Sequence, residues 1–463
     1  MIRSTASSPR RHLLIWGSIL GGLLTPALAS VESDAVLGNF GPLEWIAGIN
    51  AQVLDNSNEW RPSYEGQPAT TVDLSEPHSA TGDLLGNVFI ADKNAHAIRL
   101  IDRAGIIRTI AGTGVAGFNG DGPALTRQLN GPQHVYPMPD GSYFILDTGN
   151  NRVRRVDPAG QMVTVFQDPE NLSRGLWVKR DASVIYYCTN KSLKRWTPSQ
   201  GLNPGTLMAT GFSELGNIDV ARHGDIFLTD RGADATDPTF SRVFRIPPTA
   251  TPASYTPVAV AGTGGATDSG PGTSGAAALA VGLRGVRGIA FHPAGGYFLA
   301  THKGGDLWYV DSDGICTMIV QGNDASTNVP ALLPRSLPAL GGSVVSELRF
   351  VSVALNGDLL IAANDAGFIL RARYLGPIPP VPSFAIAPLP SLASAAQVTW
   401  TGTPGSWFLL ESSSGLAASP WKREWLGATT SSGGSPFTWT DPEPASEQPR
   451  RFYRLREFRD WPN

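Results

Sequence analysis

Short apolar runs separated by turn clusters dominate this chain. They are clearest at Gln133–Pro137, Tyr143–Leu146, Val153–Val156 and Met162–Phe166, divided by Pro139-Asp140-Gly141, the polar stretch Asp147–Asn151 and Pro158-Ala159-Gly160. Runs of this length, rich in β-branched and aromatic residues, predict four short strands in an antiparallel meander. The same pattern occurs upstream: Leu74–Ile110 matches Leu129–Val165 without a gap at an offset of 55 residues. Leu74/Leu129, Pro77/Pro132, Gly86/Gly141, Asp92/Asp147, Arg99/Arg154, Asp102/Asp157, Gly105/Gly160 and Thr109/Thr164 are identical pairs, so one structural unit has been duplicated. Weaker copies of the second and third strands appear at Val184–Cys188 with Leu193–Trp196, Asp225–Thr229 with Arg242–Ile246, Gly296–Ala300 with Leu307–Val310, and Asp358–Ala362 with Phe368–Ala372, giving six units.

A four-stranded sheet cannot bury both of its faces alone. The pattern therefore predicts an all-β fold in which six such sheets pack around an axis as the blades of a β-propeller. The sixth unit, Glu347–Arg373, enters Pro-rich sequence without a fourth strand. Leu43–Gly48, near the other end, reads Leu-Glu-Trp-Ile-Ala-Gly, similar to Arg-Thr-Ile-Ala-Gly at 108–112. Leu43–Ala47 is therefore expected to supply the missing outer strand and so remove an open sheet edge.

Composition supports this reading. The chain has 463 residues, with Gly 52, Pro 37 and only 16% charged residues, as expected of a turn-dense, strand-rich protein. A formal charge of −3 and the lack of an Arg/Lys run interleaved with aromatics argue against a nucleic-acid partner. Arg3, Arg10 and Arg11, the apolar segment Leu13–Leu24 and Ala27-Leu28-Ala29 form the pattern of a secretory signal peptide over residues 1–29. The apolar run falls short of a membrane span, and Gly17, Gly21, Gly22 and Pro26 interrupt it, so the mature chain is expected to be exported, periplasmic or extracellular, with no span. Cys188 and Cys316 fall in different blades and are expected to be unpaired, buried thiols.

Asn87-Val-Phe-Ile-Ala-Asp92, Ala97-Ile-Arg99, Thr109-Ile-Ala-Gly-Thr-Gly114 and Asn119-Gly-Asp-Gly-Pro-Ala124, with Asp147-Thr-Gly-Asn-Asn-Arg-Val-Arg154, resemble the NHL-repeat propellers, above all their exported bacterial branch. At the Asp92/Asp147 position the other units carry Thr189, Asp230, Thr301 and Ala363, so six equivalent polar sites are not expected. The propeller is assigned to residues 30–375 and a stiff Pro-rich linker to 376–386. The strand-like runs of 387–463, ending in Arg451-Phe-Tyr-Arg-Leu455, resemble a fibronectin-type-III-like sandwich, with Trp400, Phe408, Trp421, Trp439 and Tyr453 as its core.

In this topology the loops joining second to third strands, and those joining consecutive blades, open on one face at the mouth of the axial channel. Long loops on a rigid scaffold favour function, and Asp230–Phe240 and Gln321–Ser346 depart furthest from the repeat. The candidate ligand-binding residues on this face are His134, Asp147, Asn150, Arg152, Asp230, Arg231 and His302. His134 and His302 with an Asp are a conceivable metal set, but no His-x-x-x-His spacing supports one. Asp92, Asp147 and Asp230 better suit turn capping, and Arg99, Arg152 and Arg154 interblade ion pairing or stem packing. His78 and His96 are expected in solvated turns, and His223 and His292 on the opposite surface. Asn119-Gly-Asp-Gly122 lacks the further oxygens of a Ca²⁺ loop, and Ala-Gly-Thr-Gly at 111–114 and 261–264 precedes no amphipathic helix, arguing against a phosphate loop. No nucleophile elbow appears.

These readings predict a noncatalytic exported scaffold that engages a protein, peptide or glycan through the channel-mouth loops, with neither cofactor nor metal. The alternative is a metal-dependent lyase or hydrolase with its site in the channel.

Overall fold

The computed structural model describes residues 36–376 except 50–56, 84, 222, 233–240, 265–268, 303–304, 321–347, 355 and 364–366, and beyond them the strand backbones at 384–388, 396–400, 407–413, 422–428, 437–440 and 452–458. Six antiparallel sheets follow one another along the chain, each ordered from an inner to an outer strand. Blade 1 comprises Pro77–Gly82, Val88–Asp92, Ala97–Ile101 and Ile107–Ala111, and blade 2 His134–Pro137, Tyr143–Asp147, Arg152–Val156 and Gln161–Gln167. Blades 3 and 4 run from Leu172–Val178 to Thr206–Thr210 and from Leu215–Val220 to Val258–Ala261. Blade 5 spans Val286–Phe291 to Ile315–Val320. Blade 6 contributes Leu348–Val353, Leu359–Ala363 and Phe368–Tyr374.

The second strand of every blade is buried along its whole length. Such a strand has apolar neighbours on both faces, which is why its sequence reads as a continuous apolar run rather than an alternation. Six hydrophobic clusters fill the spaces between blades, one at each junction, including the junction of blade 6 with blade 1. An open arc of six blades would have only five such junctions. The inner strands likewise neighbour one another around the whole ring, Pro77–Gly82 touching both His134–Pro137 and Leu348–Val353.

Phe40–Ala47 closes the ring as the outer strand of blade 6, pairing antiparallel with Phe368–Tyr374. Trp45 lies opposite Leu370, and a bulge between Trp45 and Ala47 carries Ile46. Leu43 and Ala47 are fully buried, and Glu44 accepts hydrogen bonds from Arg371 Nη2 at 2.9 Å and Arg373 Nε at 3.3 Å. Phe40 packs edge-on against His292, Phe298 and Tyr374, with ring centroids 5.4, 5.8 and 5.2 Å apart. His292 is accordingly buried rather than on the surface, because the closing strand covers it, and burial pushes its pKa down to about 4. His78 also departs from expectation: it lies in the inner strand of blade 1 and is 3% exposed. His96 does sit in a turn, where its Nδ1 accepts a hydrogen bond from the Gly131 N–H of the next blade at 3.1 Å.

The Ala-Gly pairs that end three outer strands have a purely structural use. Gly48, Gly112 and Gly262 have φ of +88°, +94° and +89°, and a Cβ on them would lie 2.0, 2.3 and 2.4 Å from the carbonyl oxygens of Gly367, His96 and Ser241. Their N–H groups donate to the carbonyls of Ala69, Ala124 and Ala278, and the N–H groups of those alanines donate to Gly105, Gly160 and Gly314 of the blade they enter. The motif therefore staples one blade to the next.

Cys188 and Cys316 are free and buried. Near the C-terminus the backbone forms two three-stranded sheets: Phe384–Pro388, Ala396–Trp400 and Phe437–Thr440 in one, and Lys422–Ala428, Trp407–Ser413 and Phe452–Phe458 in the other. No helix among the described residues is long and apolar enough to cross a membrane. Residues 1–29, most of the 376–386 linker, and the loops at 233–240 and 321–347 lie outside the described residues.

Closure by the N-terminal strand has a direct test: deleting residues 30–50 is expected to abolish the cooperative melting transition in scanning calorimetry. Gly48→Ala, which forces an L side chain to positive φ against a carbonyl, is expected to cost more than about 1 kcal/mol in a denaturant titration.

Candidate functional site

Inner strands of neighbouring blades do not pair as a sheet, so their edge groups need other partners. Side chains supply them. Thr81 Oγ1 donates to the Val135 carbonyl at 2.8 Å, Ser352 Oγ to Ala80 at 2.6 Å, Thr229 Oγ1 to Arg287 at 2.9 Å, and Ser173 Oγ to Leu215. His134 is one of these struts: its Nδ1 lies 3.2 Å from the Arg174 carbonyl, its ring meets Phe350 edge-on at 4.9 Å, and burial lowers its pKa to about 4. The imidazole is therefore neutral, with Nδ1 as the donor.

The aspartates that end the second strands are turn caps. Asp92 accepts the Ser75 N–H at 2.6 Å, Asp147 the Asn130 N–H at 2.8 Å, and Asp230 the N–H groups of Ser213 at 2.8 Å and Glu214 at 3.0 Å. Each lies at 0% exposure. Asp147 also accepts from Asn150 Nδ2 at 2.8 Å, and burial raises its pKa to about 6 against those hydrogen bonds. Asn150 Nδ2 reaches the Gly117 carbonyl at 2.7 Å as well. Arg152 donates to the Asn150 carbonyl at 2.8 Å and lies 3.9 Å from the centroid of the Phe118 ring. Asp121 of the Asn-Gly-Asp-Gly stretch accepts from Arg154 Nη2 at 3.0 Å and the Thr164 N–H at 3.0 Å. His302 is buried beside the mouth, its backbone N–H bonded to the Gly285 carbonyl. Among the described residues, no three His, Cys, Asp or Glu side chains gather as metal ligands would.

The mouth instead gathers guanidinium groups from the starts of inner strands. Arg174 lies near the start of blade 3 and Arg349 near the start of blade 6, while Arg231 follows the second strand of blade 4. Arg231 pairs with Glu214, and Arg174 Nη1 lies 3.9 Å from the same carboxylate. On the far side, Glu76 takes Lys93 Nζ at 2.6 Å, His78 Nε2 at 3.2 Å and Arg349 Nη1 at 3.4 Å. Burial alone would raise the Glu76 carboxyl; the His78 hydrogen bond and the Lys93 ammonium outweigh it and hold it well below the usual range. Arg174 is pushed down to about 9, first by burial and then by the positive charges of Arg231 and Arg349. It remains cationic at neutral pH within a field of like charge.

The opposite end of the channel has a different character. A mostly apolar cavity of about 120 Å³ is lined from all six blades, with Tyr136, Trp177 and Phe350 as aromatic walls and Asn217 and Asp219 among its polar groups. Asp219 accepts the N–H groups of Val220 and Phe291, each at 2.8 Å, yet burial raises its pKa to about 7.

The chain is similar to a structural genomics protein of unknown function from Bacteroides thetaiotaomicron, at 12% identity and a TM-score of 0.51 over 72% of this chain and 75% of that one. It is similar to an auxiliary nutrient binding protein from the same organism, at 11% identity and a TM-score of 0.50 over 72% of this chain and 76% of that one. The likeness is one of fold. A streptogramin B lyase aligns at 12% identity with a TM-score of 0.43, over 73% of this chain and 99% of that one. No family model matches the chain, and no curated protein matches it.

Of the residues expected at the site, Arg231 joins the mouth cluster, whereas Asp147, Asn150 and Arg152 form a capping network in blade 2. Arg174 and Arg349 escape a reading based on loops because they belong to strands. Their signal in the sequence is a cation near the start of a largely apolar inner strand, as in Ser-Arg174-Gly-Leu and Leu-Arg349-Phe-Val.

Asp219 yields a pH test. Its folded-state pKa lies above the unfolded value, so ionising it costs stability as pH rises from about 4 through about 7. Relative to Asp219→Ala, the wild-type melting temperature is expected to fall across that window and to level off above it.

Proposed function

We propose that the protein is an exported, noncatalytic binding scaffold of the NHL-repeat type, whose channel-mouth face engages a protein, peptide or glycan. The observation that carries this reading is the convergence of Arg174, Arg231 and Arg349, from three separate blades, on one partly exposed mouth. A closed ring holds these groups at fixed separation, which lowers the ordering cost of binding. The buried aspartates of the second strands are committed to caps, which leaves them poorly suited to acid–base work. One of the similar structures is an auxiliary nutrient binding protein; that likeness carries the fold, and the binding role rests on the mouth's own side chains. In this reading residues 1–29 direct export, and the fibronectin-III-like C-terminal segment serves as a spacer or second contact.

A glycan and peptide array probed with the mature chain tests the reading. Binding is expected, and replacing residues 232–239 with a short Gly/Ser loop is expected to abolish it. Unchanged binding by that variant would move the site off the mouth. Stoichiometric, tightly held metal in the purified protein would favour a channel lyase or hydrolase instead.

A further inference from the structure

We infer that the channel mouth is a carboxylate-recognition site in which Arg174 supplies the fork. The inference rests on the binding role of this face and names the chemical group that the face selects. Three arginines and Lys93 gather around the carboxylates of Glu76 and Glu214 at one end of the channel. Low-dielectric walls around such an end focus its field on an incoming anion.

The two carboxylates are unequally engaged. Glu76 is shared by Lys93, His78 and Arg349, and Glu214 is held by Arg231. Arg174 is the guanidinium left over. Its nearest carboxylate oxygen, on Glu214, is 3.9 Å away and beyond hydrogen-bond reach, and its Nε is buried with no hydrogen-bond partner. A buried donor without an acceptor is costly, and a ligand oxygen would remove that cost.

The position of Arg174 is fixed from both sides. Its carbonyl is tied to His134 Nδ1, and the next residue, Gly175, lies so close to Cys188 that a Cβ there would stand 2.8 Å from Sγ. The Arg174 side chain as a whole retains 18% exposure. A planar fork presents two parallel N–H bonds, which match a planar carboxylate better than a tetrahedral oxyanion.

Isothermal titration at low ionic strength with D-glucuronate, triglycine, glucose and sodium sulfate tests this. Glucuronate or triglycine should bind, each identifying a carrier of the carboxylate, while glucose should not and sulfate should bind more weakly. Arg174→Gln should weaken carboxylate binding by about tenfold to a hundredfold, as for loss of a charge-assisted hydrogen bond. Arg174→Lys, which keeps the charge and loses the fork, should recover only part of it. Melting temperatures of both variants close to wild type would show that the fold survives; should Arg174→Gln unfold, Arg174→Lys carries the comparison.

Carboxylate binding that is absent from the wild type, unchanged in both variants, or matched by sulfate would overturn the inference. Array binding that depends on residues 232–239 but ignores Arg174→Gln would leave the scaffold standing and remove the carboxylate site. Arg174-dependent glucuronate binding with an empty array would do the reverse.

Discussion

The pairing of Phe40–Ala47 with Phe368–Tyr374 is the constraint on which the rest of this molecule depends. Without it, blade 6 would end in an unpaired edge of backbone donors and acceptors, and the hydrophobic faces of blades 6 and 1 would have no obligation to meet. With it, residues more than 300 positions apart in sequence share a sheet, and six interblade cores replace five. Burial of Leu43 and Ala47 and the clamp of Phe40 on His292 and Tyr374 couple that single strand to two blades at once.

A closed ring changes the meaning of polar residues near the axis. Inner strands of neighbouring blades share no ladder, so hydroxyls, amides and imidazoles become the partners of their edge carbonyls. His134, Thr81, Ser173 and Ser352 are used this way. The third strands show a related division. In blades 1 to 3 the central position is a buried cation, Arg99, Arg154 or Lys194, paired with Asp92, Asp121 or Asp168. In blades 4 to 6 the corresponding residues are Phe244, Trp308 and Leu370, so packing replaces ion pairing on that half of the ring.

The channel is polar and cationic at one end and aromatic at the other. This asymmetry follows from strand direction. Every inner strand runs the same way along the axis, so residues at strand starts gather at one mouth and those at strand ends line the other. Arg174 and Arg349 on one side, and Trp177 and Val353 on the other, are separated by only a few positions in their strands yet face different environments.

Periodicity alone determined the six meanders, their strand order and the borrowed outer strand, because apolar runs, turn residues and an unfilled fourth strand are local features of the chain. It also sufficed to assign Asp92, Asp147 and Asp230 to capping, since a short carboxylate after a strand has backbone N–H groups within reach. The fates of His78 and His292 and the meeting of Arg174, Arg231 and Arg349 were decided only by the tertiary structure. A side chain's burial and electrostatic neighbours come from other blades, and no local pattern specifies which strands the ring will bring together.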